Sequence, residues 1–595
     1  MSTDRRSTWL LLALLPLLGC ALVEGRRGAA DVVATGVAQD ADEAHANLYA
    51  EERYPSAAQC RACHPDHYRE WSVSPHAYAQ ISPVFNAMHG MLLLQSNGTF
   101  GDFCIRCHTP VGMALGEPLF GANEERAQAS LEGVTCVVCH RQSTAFGKNS
   151  GRAPLEEGDL FATVFGPREG DEVARVIASP EEFGPVITSP GERGRRIHGE
   201  ARFFAAITKP GFCGSCHDVN LPNGFRLEEA FSEYKQSPAA ARGETCQDCH
   251  MGLEPGVASG YRIAPAAVVG GVETAPRKRT NHMFVGPDYS VVHPGIFPHD
   301  PEARELASLA EWARFDLHAG WGTEAFEAAI PDDAEFPPRW ASADDRYEAR
   351  EILERQLALL AESHAAGTEL LRRGYQLGDV RVLRADEGGL ELEVEVENGT
   401  DGHNVPTGFV AERIVFLRVT VTDADGTVVF RSGDPDPNGD LRDLHSRYVH
   451  DGVLPLDEQL FSLQSRFVTR NLRGGEREQV LAVNYSFDPL PFLRPETLST
   501  VLIGRPGAAR IHKQGIEPGG VRRPRYSVAP EALTGAAPYT ATIELVAGMV
   551  PVNLVDTIRG VGFDYGMSAR DVAEGVLAGH RVLWERSVPL TVAER

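Results

Sequence analysis

Residues 243–250 read GETCQDCH, and residues 133–140 read GVTCVVCH. Two cysteines separated by two residues, with a histidine directly after, suit half a zinc site, a redox-active dithiol or a covalent haem anchor. The same pattern recurs along the chain. Of 11 cysteines, all but Cys20 fall in such motifs: Cys60/Cys63, Cys104/Cys107, Cys136/Cys139, Cys213/Cys216 and Cys246/Cys249. The histidines that follow are His64, His108, His140, His217 and His250. Random placement of the same residues would give about 0.007 matches, so the repetition is not accidental.

Zinc sites close a tetrahedron with four ligands, usually two CxxC knuckles, and give no reason for a histidine after every pair. A thioredoxin-like dithiol occurs once, at a strand-to-helix turn. Haem attachment explains every position. The two thiols add to the two vinyl groups of one haem, and the adjacent histidine reaches the iron as proximal ligand. The motifs therefore imply five covalently attached haem c groups, each with one iron. They also leave no motif cysteine free to form a disulfide in an oxidising compartment.

The first 20 residues read as a processing signal. Arg5 and Arg6 precede the apolar run WLLLALLPLL, and LLGC ends at Cys20. Apolar–apolar–small–Cys resembles the bacterial lipoprotein box, in which the cysteine is acylated. Ala21, in place of aspartate, points to the outer membrane. The expected location is an exported lipoprotein on the periplasmic or extracellular face. Residues 21–52, rich in Ala and Asp/Glu, read as a flexible tether. The formal charge of −25 argues against nucleic acid, which needs a basic face.

The spacing hides a duplication. His89–Gly90 precedes Cys104 by the interval at which His198–Gly199 precedes Cys213. The unit spans 89–140 and again 198–250, the mark of a duplicated module. His89 and His198 thus occupy matched places and are candidate distal iron ligands. His76, beside Trp71 and Tyr78, is a third candidate. His282 is a fourth, following Arg277, Lys278 and Arg279, whose charges suit haem propionates or simple solvation. His403 sits in the turn NGTDGHNVPTGF, as a plain turn residue or a group placed at the rim of a scaffold. His67 shares a helical face with His64 and is expected to face solvent. Met113, Met251 and Met283 read as packing. DPDPNGD at 434–440 departs from a calcium loop and reads as an ordinary loop.

These residues carry a resemblance. CRACHPDHYREWSVSPHA, FCIRCHTPVG, GVTCVVCH, FCGSCHDV, TCQDCHMG, NHMFVG and GHNVPTG resemble the multihaem cytochromes of the cytochrome c-554 type, in the branch ending in a β-domain. The resemblance covers about residues 55–290 and the stretch around His403. It implies proximal roles for the histidines after the cysteines and distal roles for His76, His282 and His403. It also implies a closely packed row of haems.

The expected fold class is multidomain α+β. Residues 53–295 form a haem-packed domain of short helices and loops. Residues 296–377 form a helical connector, with 3.6-residue periodicity over DPEARELASLAEWARFDLHAG and over DDRYEAREILERQLALLAESHAAGTELLRRGYQ. Residues 378–595 form a β-sandwich-like domain: LELEVEVEN alternates with period two, IVFLRVTVTDADGTVVFRS turns at Asp425–Gly426, and SARDVAEGVL adds a short helix. The expected function is electron transfer by mostly bis-histidine haems. The partners expected are redox proteins of the cell envelope and the membrane through the lipid anchor, with a haem-to-haem oligomer as a further option. The alternative is an oxidoreductase acting on a small nitrogen or sulfur compound at one five-coordinate haem.

Overall fold

The computed structural model describes residues 53–145, 150–191, 193–221, 226–331, 333–410, 412–444, 446–472, 478–481 and 510–591, with side chains of 466–512 not described. Cys20, the signal and the whole tether lie outside the described residues. Tyr54–Arg595 forms one compact unit. Among the described residues no helix is long and apolar enough to cross a membrane.

The region of the five motifs is built from short helices and two- or three-residue strands. Its longest helix is α1 (Pro83–Gln95), where Ser82 caps the Phe85 N–H and Pro83 occupies the first turn, both favourable N-terminal choices. The connector differs from the reading of one helix after Asp300. Two short helices form there, Pro301–Leu306 and Leu309–Trp312. The break is local: Ser308 and Glu311 close a capping box that starts a new helix. The second expected helix is α2 (Ala343–Gly374), whose last residue runs without a loop into strand β1 (Tyr375–Asp386).

Three antiparallel sheets follow, the smallest joining Arg466–Leu472 to Glu478–Leu481 and Arg510–His512. In the first, β1 pairs with β2 (Gly389–Asn398), and β5 (Arg525–Val528) pairs with the other edge of β2. In the second the order is β4 (Val428–Ser432), β3 (Ile414–Thr422), β6 (Tyr539–Gly548) and β7 (Arg581–Leu590). Leu390, Leu392, Val394 and Val396 of β2 share one buried cluster with Leu417, Val419, Ile543 and Leu545 of the second sheet. The alternation in β2 is therefore real, yet Glu393 is also buried. Arg381 and Arg525 lie across its carboxylate at 3.2 and 3.0 Å, so flanking strands cover that outward position. Replacing Leu545, 0% exposed, by alanine is expected to cost about 2–5 kcal/mol, read by denaturant unfolding.

Helices α3 (Val552–Ile558) and α4 (Ala569–Ala578) lie between β6 and β7 in sequence. They do not pack only on their own sheet. Leu554, Val555, Ile558, Val572 and Val576 share a core with Val84, Ala87 and Leu92 of α1. The C-terminal region thus clamps the helix that carries His89.

His293, at the end of the motif region, gives its contact with the connector a pH dependence. Its Nδ1 accepts from the Gly295 N–H at 3.0 Å, and Nε2 lies 3.0 Å from the Phe315 carbonyl. That pairing makes Nε2 the protonated nitrogen and the ring neutral. Burial holds its pKa down at about 4. A depressed histidine contributes stability that is present above about pH 6.5 and is lost as pH falls toward about 4, on the order of 3 kcal/mol. Unfolding free energy should decline over that window. In His293→Gln the decline should be smaller, as measured by denaturation at pH 7, 5.5 and 4.5.

Candidate functional site

Each motif closes one helical turn. The His64 N–H donates to the Cys60 carbonyl at 2.8 Å, His108 to Cys104 at 3.2 Å and His217 to Cys213 at 3.0 Å. Cys136–His140 and Cys246–His250 are helices outright. Spacing i, i+3, i+4 on one turn puts two thiols and an imidazole on a single face. All ten motif cysteines are part-buried, and none is joined to another in a disulfide.

Three proximal candidates are oriented by the same device. Nδ1 of His64 lies 2.7 Å from the Ala266 carbonyl, that of His108 3.1 Å from Ala79 and that of His140 2.9 Å from Phe165. A carbonyl accepts only, so Nδ1 carries the proton and Nε2 presents its lone pair. Nδ1 of His282 and His403 meets the carbonyls of Thr280 and Asn404 at 3.0 and 2.8 Å. Burial pushes the pKa of His76 down to about 3, and those of His108, His198, His250 and His282 to about 4. These rings are neutral at pH 7, as a metal ligand must be.

The rings then meet in pairs drawn from distant sequence. His64 faces His198 at 6.5 Å between ring centres, His76 faces His217 at 6.1 Å, and His250 faces His403 at 6.3 Å. Two imidazoles whose nitrogens each sit about 2 Å from one metal atom leave their ring centres roughly 6 Å apart. The residues present therefore fit a six-coordinate haem iron at these three places. The pair His250–His403 joins the last motif to the loop before β3.

The other two motifs are arranged differently. His282 lies near His140, which depresses its pKa, and its ring meets that of His67 at 4.9 Å. His67 corrects the expectation of a solvent-facing residue. It is half-buried between His64, at 5.9 Å, and His282, because the helix Pro65–Ser72 turns that side inward. His108 is stacked against Phe85 at 3.8 Å, and Phe85 against His89 at 6.0 Å. Sequence reasoning missed Phe85; its i, i+4 spacing from His89, which puts both on one face of α1, is the signal that points to it. Nε2 of His89 is 2.8 Å from the Leu119 carbonyl, and its buried Nδ1 has no partner. His89 and His198 thus match in sequence but not in setting: one lies within a 13-residue helix, the other in a loop.

The thiols are paired across motifs. Cys60 lies beside Cys136, Cys107 beside Cys216, and Cys213 beside Cys246, each near enough to shift its neighbour's titration. Burial pushes Cys104 and Cys139 up to about 12, the opposite of an activated dithiol. Of the basic run, Arg279 is buried and paired with Asp66 and Glu70 at 2.5 and 2.6 Å. Lys278 stands over the Tyr261 ring at 3.4 Å. Arg277 is half-buried, its side chain with neither hydrogen bond nor ion pair among the described residues. Met283 packs with Val73 and Val285. Asp436 accepts from the N–H groups of Asn438, Gly439 and Asp440 at 2.7, 2.9 and 3.1 Å, so that loop closes on itself. Among the described residues no three His, Cys, Asp or Glu converge as a metal-holding group.

Residues 59–141, which contain the first three motifs, match the family model of cytochrome c554 and c-prime. The chain is a multihaem c-type cytochrome. As such it binds haem c covalently and belongs to electron-transfer chemistry. A solved structure, a penta-heme cytochrome c552 from Thermochromatium tepidum, aligns over 90% of this cytochrome and 99% of its own chain, with 18% identity and a TM-score of 0.46. That likeness is too distant to lend weight to any residue assignment. Among curated proteins none matches the chain.

Proposed function

We propose that this cytochrome is a pentahaem electron carrier, lipid-anchored at Cys20 in the outer membrane, with its five haems on the five CxxCH motifs. The single observation that carries the reading is the set of imidazole pairs at 6.1–6.5 Å. His198, His76 and His403 serve as distal ligands opposite His64, His217 and His250, and His282 serves opposite His140. Bound haem supplies the one-electron ferrous–ferric cycle. The protein contributes neutral, pre-oriented imidazoles, a dry setting and a sandwich-like C-terminal domain that supplies His403. The cross-motif thiol contacts support a row in which the His64 and His140 haems are neighbours. They also support a His217 haem that adjoins those of His108 and His250. The formal charge of −25 favours a redox partner that presents a basic face.

A second reading rests on His108. Among the described residues no histidine ring stands against it at pairing distance; Phe85 does. This haem would keep one iron position for a small nitrogen or sulfur compound or for Nδ1 of His89. The test is haem quantitation by the pyridine assay, followed by carbon monoxide added to the reduced protein. Five haems per chain and no carbon monoxide binding support a pure carrier with His89 as ligand. One binding haem in five supports an open site at His108 and makes substrate screening the next step. Two or more binding haems would overturn the pairings. The anchor is tested separately: Cys20→Ala should release the protein from the membrane fraction.

A further inference from the structure

His403 lies in the C-terminal domain, in the loop between β2 and β3, while the motif it faces lies about 150 residues earlier. Its own domain fixes the backbone of that loop. Asn398 Nδ2 donates to the carbonyls of His403 and Ile516, each at 3.0 Å. Val405 and Ile516 exchange backbone bonds at 2.9 and 2.8 Å. This frame shapes the loop, but it does not hold the loop against the motif region.

The buried hold comes from the helix Ala230–Tyr234, which follows the fourth motif. The Phe231 N–H donates to the His217 carbonyl at 3.0 Å. The Phe231 ring lies so close to Gly214 that a Cβ there would come within 2.4 Å of it, so the Cys213–His217 turn sets this helix. Glu233 then reaches across to the loop. One carboxylate oxygen accepts from Asn404 Nδ2 at 2.9 Å, the other from the Thr407 hydroxyl at 2.7 Å. Lys513 Nζ donates to the first oxygen at 3.0 Å and also pairs with Glu229. The Glu233 side chain is 10% exposed, so water competes little for these bonds. Asn404 links the carboxylate to the imidazole: its side chain donates to Glu233, and its carbonyl accepts from His403 Nδ1 at 2.8 Å. At the rim, Arg242 meets Asp401 at 2.5 Å with both side chains half-exposed, and such pairs contribute little.

We propose that Glu233 is the positioning residue for His403: its carboxylate locks the His403 loop to the helix after the fourth motif and keeps the imidazole within bonding reach of the iron held at Cys246, Cys249 and His250. A carboxylate suits the task because its two oxygens accept from both loop donors at once. The fourth motif and the distal ligand of the fifth are thereby joined through one side chain. This inference rests on the reading of His250 and His403 as an axial pair.

The experiment follows carbon monoxide binding to the reduced, fully haem-loaded protein by stopped flow. A six-coordinate haem takes up carbon monoxide only in the fraction whose distal ligand has left. H403A should add one fast-binding haem to the wild-type count and supplies the spectrum of that adduct. In E233A the same adduct should form about a hundredfold faster than in wild type, since two hydrogen bonds to a charged group are lost, each worth a factor of about ten. E233Q keeps an acceptor for Asn404 and a donor for the Thr407 oxygen, and should return most of the way to the wild-type rate. Adding E233A to H403A should change nothing, because Glu233 acts through the imidazole. R242Q should stay within about fivefold of wild type. If E233A does not assemble, T407V, which removes one bond and keeps the side-chain shape, should give about tenfold. A wild-type rate in E233A, or in T407V where E233A fails, would overturn the proposal. So would further acceleration in the double variant, or E233Q or R242Q as fast as E233A. H403A with the wild-type count would instead sink the His250–His403 pairing.

Discussion

Replacing His198 by alanine is expected to convert one low-spin haem to a high-spin, carbon monoxide-binding haem, raising the carbon monoxide count by one over wild type. The ring of His198 faces His64 at 6.5 Å and interplanar 20°, and its pKa is held at about 4, first by burial. Removing it leaves His64 oriented by the Ala266 carbonyl, so haem attachment at Cys60 and Cys63 should persist with one axial position open. The matched variant His89→Ala is the informative contrast. Phe85 lies against His108, and His89 lies behind it. If the His108 haem is open in wild type, H89A leaves the count unchanged; if Nδ1 of His89 ligates, the count rises by one. Ferric absorption, electron paramagnetic resonance and carbon monoxide titration read both variants. An H198A protein with the wild-type count would remove the His64–His198 pairing.

The second large effect concerns stability and lies away from the haems. Arg346 near the start of α2 is paired with Glu327, their side chains 3% and 7% exposed. Arg346 Nη1 also donates to the carbonyls of Trp340 and Ala341 at 2.7 and 3.1 Å, and the guanidinium sits 4.0 Å over the Phe336 ring. Arg346→Met keeps most of the side-chain volume but leaves Glu327 buried without its counter-charge. Breaking one side of a buried pair costs about 3–5 kcal/mol. The double change Arg346→Met with Glu327→Gln should recover part of that loss, because the charge left behind, not the lost bond, dominates it. Chemical denaturation followed by tryptophan emission would check both, since Trp312 and Trp340 belong to the cluster around this helix. A single variant within 1 kcal/mol of wild type would contradict the account.

Much of the site was legible because covalent haem chemistry needs a rigid local spacing. CxxCH specifies two thiols and an imidazole on one helical turn, and each of the five motifs forms that turn. Strand alternation in β2 and the long amphipathic α2 were equally readable, since a period of 2 or 3.6 is written directly in residue order. His67 was misjudged because helical phase says which residues share a face but not which way that face turns. Period-two alternation likewise puts Glu393 on the outward face without saying what covers that face; the arginines that do so come from β1 and β5.

The amino-acid sequence alone determined the five CxxCH motifs and which histidine follows each pair of cysteines, because these lie within five consecutive residues. Which second imidazole faces the His64, His217 and His250 motifs was decided only by tertiary structure. The partners lie 134 residues apart for His64 and His198, and 153 for His250 and His403. The separate settings of His89 and His198, despite matched spacing, make the point within one chain. A helix clamped by Leu554, Val555 and Val572 holds the first, and a loop carries the second to another motif. Packing, not spacing, selects the pair.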